Sequence, residues 1–242
     1  MLLKRVGVLG GLGPLATVYF MDMVVKLTDA KRDQEHIPML VMNDSTIPDR
    51  TAFILGKSAE SPLPRMLENA RMLENAGVDF LVIPCNTAHF FYDAVAEAVK
   101  IPVINIMEEA VTAASGAVSG VKAIGVLATD GTVQSGVYER FAKSAGLRLL
   151  VPEKEEQEAV MHIIYDEVKA GRPADWKKLV RTAESLRQRG ADAVILGCTE
   201  LSVVSRDQEL TQIYPWMVDS LEALAEKCIV TAGGRLRTAG RQ

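Results

Sequence analysis

Two short stretches of this chain are versions of one another. "DFLVIPC" at residues 79–85 and "DAVILGC" at 192–198 share an acidic start, an apolar run and a closing cysteine, 113 positions apart (198 − 85 = 113). "KRVGVLG" from Lys4 returns as "KAIGVLA" from Lys122, 118 positions on (122 − 4 = 118), so the halves differ by a small insertion. "IPVINIMEEAV" has an echo in "YPWMVDSLEAL". The repeated runs are apolar throughout, as in strands covered on both faces of a parallel sheet. Strands alternating with helices argue the same layered α/β build. The expectation is two similar α/β domains with mostly parallel sheets flanked by helices. A pseudo-twofold axis would relate them, and an active site in the interdomain cleft would receive one cysteine from each.

The rest of the chain fits that plan. In the first half "RVGVLG", "PMLVMN", "DFLVIP" and "PVINI" read as strands. "PLATVYFMDMVVKLTDA" reads as a helix with Pro14 in its first turn, and "PLPRMLENARMLENAG" as one closed by Gly77. Further helices are expected over residues 88–99 and from about 108. In the second half "VKAIGVLAT", "LRLLVPE", "DAVILG" and "IYPWMV" read as strands, and "TVQSGVYERFAKSAG", 155–170, 176–190 and "SLEALAEKCIVTA" as helices. Residues 44–61, "DSTIPDRTAFILGKSAES", form a polar connection longer than most, a candidate functional loop. "GGRLRTAGRQ" reads as a loose basic end.

Composition removes several function classes. With 48% hydrophobic residues in 242, the core can be large, and the net charge of −4 with dispersed basic residues argues against nucleic acid as a partner. No apolar run approaches the roughly 18 residues that a membrane span needs, so no membrane partner is expected. The start, "MLLKRVGVLGG", does not read as a signal peptide. Three cysteines, Cys85, Cys198 and Cys228, are too few for a disulfide framework, which points to a reducing cytoplasm. No Cys/His spacing suggests a metal.

A cysteine after a buried strand is ordinarily a small apolar residue of the core, and Cys228 is read so. Cys85 and Cys198 stand apart. Each follows a buried strand at its carboxyl end, where open α/β sheets place ligands. Each precedes a helix start, "CNTAH" and "CTELS", whose N–H groups favour anions and thiolates. Matched thiols facing one another can exchange protons on opposite faces of one carbon, which is racemisation or epimerisation without a cofactor. A redox pair competes, although such pairs commonly sit close together as CxxC. Asn86, Thr87 and Thr199 directly follow the thiols and could supply donors to a substrate carboxylate; the alternative is simple helix capping. His89, one helical turn beyond Cys85, tunes the thiol or is a satisfied core histidine; both readings stay open. Gly11, Gly13 and Ala16 satisfy G-x-G-x-x-A, the dinucleotide fingerprint, but Pro14 removes an N–H from such a cradle and no acidic residue ends the next strand at the right distance. Gly11 is better read as a tight turn bringing backbone near the substrate.

"GVLGGLGPLAT", "NDSTIPDR", "IPCNTAHFF", "IPVINI" and "ILGCTEL", in this order along nearly the whole chain, resemble the cofactor-independent aspartate/glutamate racemase superfamily, most closely its aspartate and broader amino-acid racemase branch. The resemblance implies that Cys85 and Cys198 are the proton-transferring pair. It implies that Arg50, and Lys169 as a second cation, meet the further carboxylate of an acidic substrate, the alternative for Lys169 being a solvated lysine in a helix's last turn, and that no pyridoxal phosphate or other cofactor is used. From its own place beside Cys198, Glu200 orients the neighbouring thiol or the substrate ammonium, or is a surface glutamate; both readings stay open. Residues 1–103 plus 214–242 would form one domain, with a returning C-terminal helix, and 104–213 the other; a homodimer is usual in the family. Aspartate is the leading substrate, then glutamate or a broader set. A decarboxylase or isomerase acting on a small dicarboxylate and a non-catalytic acidic-metabolite-binding protein are the alternatives.

Overall fold

The computed structural model describes residues 3–237; residues 238–242 of the expected basic end lie outside the described residues. The elements run β1 (Val6–Gly10), α1 (Pro14–Leu27), β2 (Met39–Asn43), α2 (Arg50–Ile54), α3 (Leu63–Asn75), β3 (Phe80–Val82), α4 (Tyr92–Ala98), β4 (Val103–Ile104) and α5 (Ile106–Ala117). They continue with β5 (Ala123–Leu127), α6 (Asp130–Gln134), α7 (Val137–Ser144), β6 (Arg148–Leu150), α8 (Lys154–His162), α9 (Trp176–Gln188), β7 (Ala193–Leu196), α10 (Thr199–Asp207), α11 (Leu210–Ile213), β8 (Met217–Asp219) and α12 (Ser220–Ala232). A 3-10 helix, Thr87–Phe91, precedes α4, and a π-helix, Ile163–Val168, follows α8.

The chain forms two compact units, each a four-stranded parallel sheet with helices, as the repeats imply. Their strand orders correspond: β2-β1-β3-β4 in the first and β6-β5-β7-β8 in the second. Register corresponds as well. Val6 pairs with Phe80, and Ile124 with Ala193, which are the same places under the two repeat shifts (6 + 118 = 124; 80 + 113 = 193).

The repeated packing follows from helical periodicity. Met66, Ala70 and Leu73 form the buried stripe of α3, and Leu179, Ala183 and Leu186 that of α9, each matching pair 113 apart (186 − 73 = 113). Both stripes lie on a central-strand glycine. A Cβ at Gly7 would stand 3.4 Å from the Leu73 Cβ, and one at Gly125 3.2 Å from the Leu186 Cβ. Burying each leucine contributes about 1.5–3 kcal/mol, so the glycines let the helices sit where that contact is made.

Strand starts are tied by matching aspartates, with one further donor in the second unit. The Asp79 carboxylate accepts the Arg5 N–H (2.6 Å), and the Asp192 carboxylate accepts those of Lys122 (2.8 Å) and Ala123 (3.0 Å). The echo between β4 and β8 is one residue off in space. Leu81 N–H bonds Pro102 O and Val194 N–H bonds Trp216 O, a shift of 114 (216 − 102 = 114).

Four details depart from the sequence reading. The first unit comprises residues up to 49, 60–106 and from 221, and the second 50–59 and 107–220. The second thus runs past the expected boundary at 213, because β8 pairs with β7. The long connection carries a helix, α2, that packs in the second unit. The helix expected over "TVQSGVYERFAKSAG" is broken at Gly136, whose φ of 66° takes the left-handed conformation open to glycine. Residues 88–99 open as 3-10 before becoming α-helical. Among the described residues, no helix is long and apolar enough to cross a membrane.

Candidate active site

In the first unit the site residues gather where β3 ends. Cys85 donates its N–H to Ile83 O at 2.8 Å, closing a three-residue turn through Pro84. Cys85, Asn86 and Thr87 are all buried. His89 is buried too, and both of its ring nitrogens are engaged: Nδ1 lies 2.8 Å from Cys85 O, and Nε2 accepts the Ile106 N–H at 3.1 Å. Burial pushes its pKa down to about 4. The satisfied core histidine is therefore what the structure contains.

Gly11 lies in the turn after β1 with φ 88°, and its N–H donates to Thr17 Oγ1 at 2.9 Å. A Cβ there would stand 2.2 Å from the Asp44 carbonyl carbon, so the close approach of these two turns requires glycine. Asp44, the acid of "NDST", accepts from the Thr46 hydroxyl (2.6 Å), Asn69 Nδ2 (2.8 Å) and Arg65 Nε (2.8 Å). These bonds, that from Thr46 foremost, hold its carboxyl well below the usual range.

The second unit holds Cys198 differently. Cys198 is the N-cap of α10, with extended backbone, and its carbonyl accepts from Leu201 and Ser202. Its thiol donates to Glu200 Oε2 at 3.0 Å, and the Thr199 hydroxyl reaches the same oxygen at 3.3 Å. Burial pushes the Cys198 thiol well above its ordinary pKa; the Glu200 charge and hydrogen bond push the same way, and Lys169 opposes them. A helix N-terminus was expected to favour the thiolate. Desolvation and an adjacent carboxylate outweigh it here.

Lys169 reaches this cluster through an irregular turn. Its N–H bonds Ile164 O, five residues back, at 3.0 Å, the closing bond of the π-helix. Its Nζ lies 3.9 Å from Glu200 Oε1 and 4.2 Å from the centroid of the Tyr165 ring. Tyr165 escaped the sequence reading; its spacing of four from Lys169 was the available signal. Arg50 is buried at the start of α2. That helix packs on α6 at Gly131, where a Cβ would stand 3.0 Å from Thr51 Cα. The second unit thus carries Arg50, Lys169, Cys198, Thr199 and Glu200, and the first carries Gly11, Cys85, Asn86, Thr87 and His89.

Two parallel-sheet units, each with a buried cysteine just beyond its third strand, define a class of duplicated α/β protein. Residues 9–228 match the Asp/Glu/hydantoin racemase family, and the chain belongs to that family. It is 29% identical to the broad specificity amino-acid racemase RacX of Bacillus subtilis, over 93% of this chain and 97% of that protein. It is 28% identical to a glutamate racemase of Deinococcus radiodurans, over 86% of this chain and 68% of the relative. Among solved structures, the aspartate racemase of Picrophilus torridus superposes with a TM-score of 0.80 at 31% identity, covering 97% of this chain and 96% of the other.

Proposed function

We propose that this member of the racemase family interconverts L- and D-aspartate by a two-base mechanism, with Cys85 and Cys198 as the acid–base pair. The observation that carries the proposal is their equivalence: each stands two or three residues beyond the third strand of its sheet, 113 residues apart (198 − 85 = 113), beside polar groups suited to a carboxylate. The chemistry requires one thiol on each face of the substrate Cα. One removes the α-proton as the other delivers a proton from the opposite side. Cys198, which donates to Glu200, supports the starting role of proton donor. Cys85 is then the acceptor in that direction, and the roles reverse for the other enantiomer.

An α-proton is weakly acidic, so the developing charge on the substrate carboxylate has to be stabilised. Asn86, Thr87 and Thr199 are assigned to that task, with Gly11 shaping the turn beside β1. Arg50 and Lys169 are assigned to the side-chain carboxylate, and this charge pairing favours an acidic substrate. The 31% identity to an aspartate racemase favours aspartate. The relative described as broad in specificity makes a wider amino-acid range the second reading.

The test is a chiral assay in heavy water over a panel of L- and D-amino acids, without added cofactor. Aspartate should lose optical activity as solvent deuterium enters Cα. Racemisation without deuterium incorporation would sink the two-base scheme. Arg50→Ala should impair aspartate far more than a neutral amino acid; equal losses would remove Arg50 from the side-chain contact.

A further inference from the structure

His89 is a fully buried titratable group that the proposed chemistry does not use. Its hydrogen bonds fix its tautomer. The Ile106 backbone N–H can only donate, so Nε2, 3.1 Å away, carries no proton. A neutral ring then holds its proton on Nδ1, which donates to the Cys85 carbonyl at 2.8 Å. With its pKa pushed down to about 4 by burial, the ring is neutral at ordinary pH. One ring face stacks on Tyr92, with centroids 5.8 Å apart and planes 9° apart, and the Tyr92 hydroxyl donates to Val103 O at 2.8 Å.

The second unit offers a comparison at the matching place. Ser202 (89 + 113 = 202) donates to Asp219 at the end of β8. In both units the helix after the cysteine is tied to the end of the fourth strand. In the first, that tie continues into the backbone of the cysteine itself.

We propose that His89 is a positioning residue for Cys85: the Ile106 N–H keeps the ring in its Nδ1–H tautomer, and that N–H holds the Cys85 carbonyl and so fixes where the thiol stands. No proton moves through the imidazole. With the Cys85 N–H held by Ile83 O and its carbonyl by His89, the peptide planes on both sides of its Cα are fixed and with them the Cα–Cβ direction, and a misplacement of about 1 Å in a reacting group can cost about 100-fold. The proposal rests on the reading of Cys85 as half of the proton-transferring pair.

Three substitutions separate the two ends of the lock. In His89→Asn the amide nitrogen takes the place of Nδ1 and can donate to Cys85. In His89→Gln the amide oxygen reaches the place of Nε2 and can accept from Ile106. His89→Leu does neither. His89→Asn should keep kcat within about threefold, whereas His89→Gln and His89→Leu should lose about 10- to 100-fold in kcat with KM little changed. In the impaired variants the α-deuterium isotope effect should rise in only one reaction direction, the one in which Cys85 removes the proton. A purely structural role would move both directions together.

Iodoacetamide alkylation of Cys85, in a Cys198→Ala/Cys228→Ala background, reads the same lock without turnover. Its rate should change in His89→Gln and His89→Leu and hold in His89→Asn. Should His89→Leu fail to fold, the Asn and Gln variants decide. The proposal is overturned if His89→Gln matches the wild type while His89→Asn fails, if both directions change alike, or if alkylation is the same in all variants. A wild type that does not racemise, with the alkylation pattern intact, would overturn the function and leave the positioning role standing.

Discussion

The two units agree at one end of their sheets and differ at the other. Where the central strands begin, Asp79 and Asp192 make the same backbone contacts, and Leu73 and Leu186 lie on the same glycine positions. Where the third strands end, Cys85 is held through its backbone by Ile83 and His89, and Cys198 engages Glu200 through its thiol. Two positions after Cys85 stands Thr87; two after Cys198 stands a carboxylate. A duplicated scaffold has therefore kept its foundations and diversified its reactive rim. The two cysteines match by position and differ in what stands two residues on, a hydroxyl after Cys85 and, after Cys198, a carboxylate that accepts from the thiol.

The largest effect that can break this comparison comes from the thiols themselves. Cys85→Ala and Cys198→Ala should each lower racemisation by about 100- to 10,000-fold in the chiral assay, the range for losing a positioned acid or base. Far-UV circular dichroism should stay unchanged. Full activity in either variant removes that cysteine from the pair.

The foundations are compared next. Leu73→Ala and Leu186→Ala should each cost about 2–5 kcal/mol in urea unfolding, because both side chains are fully buried on a tightly approached strand. If only one of them destabilises, the packing equivalence of the units is wrong.

The electrostatic difference is tested more finely by the pH dependence of Cys198 alkylation, with Cys85 and Cys228 replaced by alanine. The Glu200 carboxylate raises the thiol pKa and Lys169 lowers it. Glu200→Gln should therefore move the alkylation midpoint to lower pH, and Lys169→Met should move it to higher pH by a smaller amount. Shifts of the same sign in both variants would refute the charge arrangement around Cys198.

The smallest expected effect concerns Asp192, a half-buried residue whose carboxylate pKa is lowered, chiefly by the Lys122 backbone N–H and then by that of Ala123. A lowered folded-state pKa stabilises above the unfolded value near 4, and that contribution is lost as pH falls through the folded value. Asp192→Asn should thus be slightly less stable than the wild type near neutrality, with the gap closing in acid. A gap that widens as pH falls would contradict this assignment.

Much of the scaffold was legible in the sequence because its signals are local. Fully apolar runs marked β1, β3, β5 and β7, Gly77 closed α3, and the shift of 113 placed both cysteines at equivalent strand ends. What escaped depends on distant partners. The helix from Arg50 is only five residues long, too short to show a period, and α2 packs on Gly131, which lies far along the chain. The 3.6-residue pattern of "TVQSGVYERFAKSAG" is continuous in sequence, yet Gly136 breaks it in space. The π-helix before Lys169 has no compositional mark. His89 could not be assigned from one helical turn of spacing, because Ile106, which fixes its tautomer, lies 17 residues away.

The path of the chain through the two units has a practical consequence. It passes between them four times, at 49/50, 59/60, 106/107 and 220/221. No single cut yields two self-sufficient fragments. A recombinant piece spanning 107–220 would hold Cys198, Glu200 and Lys169 but leave Arg50 behind. Grafting the second unit onto a relative therefore takes two inserts, the ten residues 50–59 (59 − 50 + 1 = 10) and the stretch 107–220, transferred together.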